Sequence, residues 1–174
     1  MDRRFVDKAE KQRIIAVCGV KNSGKTTLLE RLVAELTKRG FQTAVIKHDG
    51  HDFACDSSGT DSYRMTEAGA YASAVFSDNR IFVHKIGTKE RAEELIGLFP
   101  EADIIFLEGM KESCYPKIEL IRQGISEYPV SNPQGRFLIV TDRIAAHYEE
   151  ETVGFEELDR IITRILERTF ASYL

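Results

Sequence analysis

Residues 16 to 32 read AVCGVKNSGKTTLLERL, an aliphatic run that gives way to glycine, lysine and hydroxyl residues and then to leucines at helical spacing. Within it, Gly19-Val20-Lys21-Asn22-Ser23-Gly24-Lys25-Thr26 fits G-x-x-x-x-G-K-[ST], and each part of that pattern answers a need of anion binding. The loop has to turn tightly for successive backbone N–H groups to converge. Gly19 and Gly24 allow torsions and a close approach that a Cβ would block. The following helix points unpaired N–H groups and its positive dipole end at the same place. Lys25 adds a cation for β- and γ-phosphates, and the Thr26 hydroxyl is short enough to ligate Mg²⁺. Gly19 through Thr27 is therefore the expected cradle for a nucleoside triphosphate, against the plainer alternative of a glycine-rich turn that holds nothing.

A phosphate loop of this kind needs an acidic group at the end of a neighbouring buried strand to help hold Mg²⁺. DIIFLEG, residues 103–109, offers Glu108 after four apolar residues; Asp103 stands at the wrong end of that strand. Asp61 and Asp56 flank a Ser-Ser-Gly-Thr turn; either could reach the metal or orient a water, and either is equally an ordinary turn or helix-capping residue. Asp61 is also the one weak catalytic candidate, the catalytic residues being otherwise unknown. Asp142 ends RFLIVTD. A carboxylate there can accept from guanine N1–H and the N2 amine, a donor pair adenine lacks, although the full Asn-Lys-x-Asp pattern is missing. His48, His51 and Cys55 fall within eight residues and could bind zinc or nickel, line the phosphate site or serve as polar loop residues. No arginine finger or catalytic glutamine is legible, so any hydrolysis is expected to be slow.

The elements that would position these residues alternate. IIAVCGV (14–20) reads as a strand buried on both faces. Leu28, Leu32 and Leu36, with Leu29 and Val33, form a helical stripe that Gly40 stops. FQTAVIK (41–47) closes a βαβ unit, which implies a parallel sheet. Further on, YRMTEAGA reads as a short helix, ASAVFS and RIFVHKI as a hairpin turning at Asp78-Asn79, and KERAEELIGLF (89–99) as a helix stopped by Pro100. DIIFLEG, KIELIRQ and RFLIVTD are three more strands, and the amphipathic FEELDRIITRILERTF ends the order. The fold class predicted is α/β: a P-loop NTPase-like three-layer domain with a mostly parallel, doubly wound sheet. Ligands of such sheets sit at the carboxyl ends of the strands.

Composition is consistent with one soluble domain. The chain has 174 residues, 43% hydrophobic and 30% charged, with a net charge of −4. That balance gives no basic surplus for general nucleic-acid or membrane binding. Three widely spaced cysteines, Cys18, Cys55 and Cys114, argue against a disulfide framework and for a reducing compartment. The charged start MDRRFVDKAEKQR has no apolar signal segment. The expectation is a cytoplasmic protein, with residues 1–12 a flexible or cloning-derived lead-in and 13–174 a single nucleotide-binding domain.

Over roughly residues 13 to 170 the chain resembles molybdopterin-guanine dinucleotide biosynthesis protein B, the MobB family. The likeness rests on GVKNSGKTTL, KHDGHDF, DSSGTDSYRMTEAGA and LEGMK followed by the lysine-bearing YPKIEL. The resemblance implies a homodimeric P-loop protein that binds GTP with Mg²⁺, hydrolyses it weakly, and assists a guanylyltransferase joining GMP to molybdopterin. By position it carries the phosphates to Gly19–Thr27 and Mg²⁺ to Thr26 and Glu108, with Asp61 a further candidate. Thr60 stands where members often have lysine, a departure that leaves that position without the implied charge. Lys111 and Lys117 would be contacts for an anionic cofactor or, alternatively, solvated surface lysines. A small-molecule kinase, a metal-delivery GTPase using His48, His51 and Cys55, and a binding module without turnover remain the competing classes.

Overall fold

The computed structural model describes residues 12–50, 56–86, 91–143 and 147–168. They group into two compact units: one runs up to His48 and resumes at Ile96, the other is Asp49–Leu95.

The first unit is built on β1 (Arg13–Cys18), α1 (Lys25–Lys38), β2 (Thr43–Lys47), β5 (Ile104–Glu108), β6 (Lys117–Ile121), β7 (Arg136–Thr141), β8 (Glu151–Val153) and α4 (Leu158–Leu166). Its six strands lie in the order β2-β5-β1-β6-β7-β8, and every neighbouring pair is parallel. The chain runs outward to β2 on one side of β1 and to β6, β7 and β8 on the other, so the direction of winding reverses beside β1. A crevice opens at such a reversal. All six carboxyl ends meet one edge of the sheet, the edge that carries the phosphate loop.

Alternation along each strand sorts side chains onto two faces. One face, made by Ile15, Val17, Ile104, Phe106, Ile118, Leu120, Leu138, Val140 and Val153, packs on Leu28, Leu29, Leu32 and Leu36 of α1 and on Ile161, Ile162 and Ile165 of α4. The other carries Ala16, Cys18, Ile105 and Leu107, with Ile96 and Tyr115 against them. β5 and β6 are buried at every position, as interior strands of a parallel sheet must be. The leucine stripe expected of 28–36 is thus the buried face of α1, and Gly40 ends the helix as predicted. Gly40 N donates to Thr37 O at 3.0 Å and Phe41 N to Leu36 O at 3.0 Å, a Schellman closure.

The Asp49–Leu95 unit holds α2 (Asp61–Glu67), β3 (Ala72–Phe76) and β4 (Ile81–Lys85); α3 (Ala92–Ile96) runs across its boundary. β3 and β4 pair antiparallel with Val75 opposite Phe82 and Phe76 opposite Ile81. Ser77 N donates to Arg80 O at 2.8 Å, so the turn falls at Asp78-Asn79 as the sequence indicates. One face of the hairpin meets α2, where Thr66 Oγ1 and His84 Nδ1 are 3.4 Å apart. The opposite face shows Phe76, Ile81 and Val83 to solvent, 82%, 78% and 63% exposed.

Two helices are shorter than their sequence patterns. The 89–99 pattern yields only Ala92–Ile96, with 87–90 outside the described residues. The final helix begins at Leu158 rather than Phe155. Glu157 Oε2 accepts from Gly154 N at 2.7 Å, while the Phe155 ring lies under the Arg122 guanidinium, so residues 154–157 turn before the helix starts.

Candidate functional site

The phosphate loop leaves β1 at Cys18 and enters α1 at Lys25. Gly19 adopts φ +139, and a Cβ there would stand 2.7 Å from Ser23 Oγ and 2.8 Å from Leu120 O. The first contact would force the buried serine aside and the second would push β1 away from β6. Asn22 (φ +66) and Gly24 (φ +95) take left-handed torsions, which roll the backbone into a concave nest of N–H groups. Gly24 is the N-cap of α1, no side chain caps that terminus, and the first turn contains no acidic residue. The first N–H groups of α1 have no intrahelical acceptor, and no carboxylate competes with an anion for them. Lys25 Nζ folds back over the loop and donates to Val20 O at 2.8 Å and Gly19 O at 3.1 Å. The ammonium therefore stands at the mouth of the nest on a flexible stem. Lys21 and Asn22 are exposed on the rim, and Ser23 is buried beneath it.

Glu108 ends β5, and alternation turns it to the same face as Phe106, the α1 face. There Thr26 Oγ1 donates to Glu108 Oε1 at 3.1 Å. The glutamate is 8% exposed. Two sequence candidates 82 residues apart thus meet at one point beside the loop. A hydroxyl and a carboxylate, both hard oxygen donors, suit Mg²⁺, which characteristically takes one or two protein oxygens and fills its remaining positions from phosphates and water.

On the other flank of the loop a second group gathers at the ends of β6, β7 and β8. Arg122 follows β6 directly, and its guanidinium carbon lies 4.3 Å from the centroid of the Phe155 ring. Both side chains border Gly24: a Cβ built on Gly24 would be 3.9 Å from the Arg122 guanidinium and 4.0 Å from Phe155. Arg31 of α1 fixes the Phe155 backbone by donating to its carbonyl at 2.9 Å. Asp142, the guanine candidate, follows β7 in this same group. Its Oδ1 accepts from Gln123 N at 2.7 Å, and its Oδ2 faces Arg122 Nε at 3.7 Å. One oxygen is thus already used by the backbone, and the other sits beside a cation.

Other predicted residues have separate settings. Asp61 opens α2 in the Asp49–Leu95 unit, pairs with Arg64 at 3.7 Å and has a 95% exposed side chain. Thr60, where the resemblance led to expect lysine, is the N-cap of α2 and accepts from Tyr63 N at 3.3 Å. Its hydroxyl also bonds Asp56 Oδ1 at 3.0 Å. Desolvation pushes the Asp56 carboxyl up, but hydrogen bonds from Ser62, Thr60 and Ser57 N outweigh it and hold the group below the usual carboxylate range. His48 follows β2, and its N–H donates to Glu108 O at 3.0 Å. His51 and Cys55 lie outside the described residues, among which no cluster of three His, Cys, Asp or Glu residues could hold a metal.

Lys117 is neither a ligand contact nor a solvated surface lysine. It is fully buried on β6, where its Nζ donates to Ser113 O and Gln134 O at 2.6 Å each and to Asn132 O at 3.3 Å. Burial lowers its pKa, with the Cys18 thiol the largest opposing influence. Glu119, two residues on, is also buried and accepts from Val130 N at 3.0 Å. Sequence reading did not single out Arg122 or Phe155, which border the loop at Gly24. The signal was available: the rule that ligands gather at strand carboxyl ends, used for Glu108 and Asp142, applies equally to the residues after KIELI and ETV.

Comparison with known proteins identifies the family. The family model described as molybdopterin guanine dinucleotide synthesis protein B, MobB, matches residues 14–142. A molybdopterin-guanine dinucleotide biosynthesis adapter protein of Haemophilus influenzae is 36% identical over 117 residues, covering 66% of this chain and 66% of that protein. The corresponding adapter protein of Escherichia coli is 34% identical over 124 residues, 67% of this chain and 69% of its own. The crystal structure of Bacillus subtilis MobB superposes with a TM-score of 0.69 at 22% identity, covering 92% of this chain and 99% of that one, a likeness that shows the fold alone. With its phosphate loop and its Glu108 strand both inside the matched stretch, the chain belongs to the MobB family, the adapter proteins of molybdopterin guanine dinucleotide biosynthesis.

Proposed function

We propose that this chain is a GTP-binding accessory protein, a slow GTPase, that assists a nucleotidyltransferase in joining GMP to molybdopterin. The observation that carries the reading is the Thr26–Glu108 contact at 3.1 Å beside an uncapped helix N-terminus. A phosphate tail held by the loop's N–H groups would lie against these oxygens. Mg²⁺ bound at Thr26 and Glu108 would neutralise charge on the β- and γ-phosphates.

The chain's own residues divide the work. The backbone of Gly19 to Thr27 holds the tail, and Lys25 exchanges its two loop carbonyls for phosphate oxygens. The buried Glu108 keeps the Thr26 hydroxyl aimed at the metal position. The sequence offers no recognisable arginine finger or catalytic glutamine, in keeping with slow turnover. Asp61 remains a candidate for water or metal contact. The family names support the partner enzyme, and a cytoplasmic location is in keeping with that role. No described helix is long and apolar enough to cross a membrane. A homodimer is the proposed assembly, supported by the exposed Phe76–Ile81–Val83 face of the hairpin: a two-stranded ribbon is marginal alone, and an apolar patch of this kind favours a partner.

The test is calorimetric titration of GTP and ATP with Mg²⁺ into wild type and Lys25→Ala, followed by pull-down of the candidate guanylyltransferase with and without GTP. GTP binding that the lysine variant loses is the expected result. No heat with any triphosphate at millimolar concentration would end the reading, and a clear preference for ATP would remove its guanine half.

A further inference from the structure

We propose that Arg122 and Phe155 form the base-holding end of the nucleotide site, with the Arg122 guanidinium stacking on the purine. The inference deepens the GTP-binding reading and rests on it.

Three observations place it. First, Arg122 and Phe155 both border Gly24, the residue that joins the phosphate loop to α1, so they belong to the wall of the same crevice. Second, they stand on the opposite flank of the loop from Glu108. The sheet order is β5-β1-β6, and Arg122 follows β6 as Glu108 ends β5. Strands lie about 4.8 Å apart, so these two residues are separated by about 10 Å across the sheet, and Asp142 on β7 by about 14 Å. If the metal and the terminal phosphates sit at Glu108, the nucleoside has to leave the loop toward Arg122. Third, the guanidinium is built as a platform. One face rests on the Phe155 ring, Nε is buried without a hydrogen-bond partner, and Asp142 Oδ2 holds the charge at 3.7 Å without taking a hydrogen bond. The side chain is still 39% exposed. A planar cation sandwiched on one side by an aromatic ring offers its other side to a second flat π-system, and a purine is the flat π-system of this ligand class.

Stacking of this kind is blind to the phosphates, which gives the test its two arms. Wild type, Arg122→Met and Arg122→Lys are titrated with GTP and with inorganic tripolyphosphate, both with Mg²⁺. Each variant's melting curve is recorded first; where the methionine variant does not fold, the lysine variant carries the comparison. The expected result is about tenfold weaker GTP binding by Arg122→Met, with tripolyphosphate binding changed less than about twofold and with lysine restoring only part of the loss. Equal loss on both ligands would make Arg122 a phosphate contact and overturn the inference. So would loss on neither, or full recovery by lysine. Wild type that binds neither ligand would instead sink the GTP-binding reading beneath it.

Discussion

Replacing Lys117 with methionine separates a structural from a ligand-directed role for the most deeply buried charge in the sheet. The ammonium is enclosed, and its three acceptors are backbone carbonyls of the segments that cover that end of β6: Ser113 O and Gln134 O at 2.6 Å, Asn132 O at 3.3 Å. Methionine has nearly the same length and donates nothing. Two carbonyls at strong hydrogen-bond distance would be stranded, each costing about 1–3 kcal/mol, or about 2–6 kcal/mol together. Against that stands relief from keeping an ammonium out of water, a penalty of several kcal/mol per ion that the three carbonyls already largely offset in the native protein. The balance expected is a net loss of about 2–3 kcal/mol. With a urea slope near 2 kcal/mol/M, the unfolding midpoint should fall by about 1 M. Urea titration followed by circular dichroism reads the midpoint, and calorimetry on the folded variant reads GTP affinity, which should stay within about twofold of wild type. A midpoint equal to or above wild type would show that the carbonyl cage contributes nothing. An unchanged midpoint with tenfold weaker ligand binding would show that the ammonium faces a ligand after all.

Three other substitutions test the loop, the metal position and the second sheet face. Gly19→Ala sets a methyl 2.7 Å from Ser23 Oγ and 2.8 Å from Leu120 O at a φ of +139; strain of about 1–3 kcal/mol should lower Tm by roughly 2–10 °C and abolish nucleotide binding, and wild-type melting would contradict the clash. Glu108→Gln keeps an acceptor for Thr26 but removes the charge. The gain in GTP affinity on adding Mg²⁺ should shrink about 10–100-fold while binding in EDTA holds steady, and an intact gain would clear Glu108 of any metal role. Burial, then the nearby Glu119 carboxylate, push the Cys18 thiol from 9.0 up to about 12. Unfolded chains lose that proton near pH 9 and the native protein keeps it, so the stabilising contribution is whole below pH 9 and is lost between 9 and about 12. Cys18→Ala should flatten the alkaline fall in stability over that window, and identical slopes would refute the assignment.

What could be read from residues alone was whatever local pattern determines. The phosphate loop carries its own torsional requirements in Gly19 and Gly24, the leucine stripe of α1 declares a helical period, and the unbroken apolar runs of β1, β5 and β7 declare buried strands. β8 was missed because Glu151–Val153 is three residues long at a sheet edge, too short to show alternation. The end of α1 was legible in Gly40, but the start of α4 was not. Phe155, Glu156 and Glu157 continue a helical pattern, and contacts distant in sequence, the Arg122 stack and the Arg31 bond to the Phe155 carbonyl, join the Gly154–Glu157 hydrogen bond in the turn that precedes the helix. Lys117 and Glu119 misled for a related reason. K-I-E-L-I alternates polar and apolar, which ordinarily marks a face turned to water. Here Ser113, Val130, Asn132 and Gln134 supply backbone partners over that face, and no local pattern announces a cover made of irregular chain.

The site itself depends on register more than on any single residue. Glu108 pairs with Val17 across to β1 and with Lys47 across to β2, and it shares a face with Ile104 and Phe106. Slipping β5 by one residue would turn Glu108 to the Cys18 face and present Leu107 to Thr26, leaving the loop intact and its metal position without a carboxylate. The same parity turns Arg122 to the side of Leu120 and Asp142 to the side of Val140, while Phe155, in the turn after β8, packs against the same hydrophobic cluster. β5, β6 and β7 therefore have to end in phase for the proposed magnesium ligand, the phosphate loop and the proposed base platform to share one edge of the sheet. The apolar residues that precede each candidate residue hold that phase: burial of Phe106, Leu120 and Val140 against the helices decides which way the next alternate side chain points. The hydrophobic core is in this sense part of the nucleotide site. A substitution that lets a strand slip, such as a polar residue at Phe106, is expected to cost Mg²⁺-dependent GTP binding in molecules that remain folded, a loss that the phosphate loop alone would not predict.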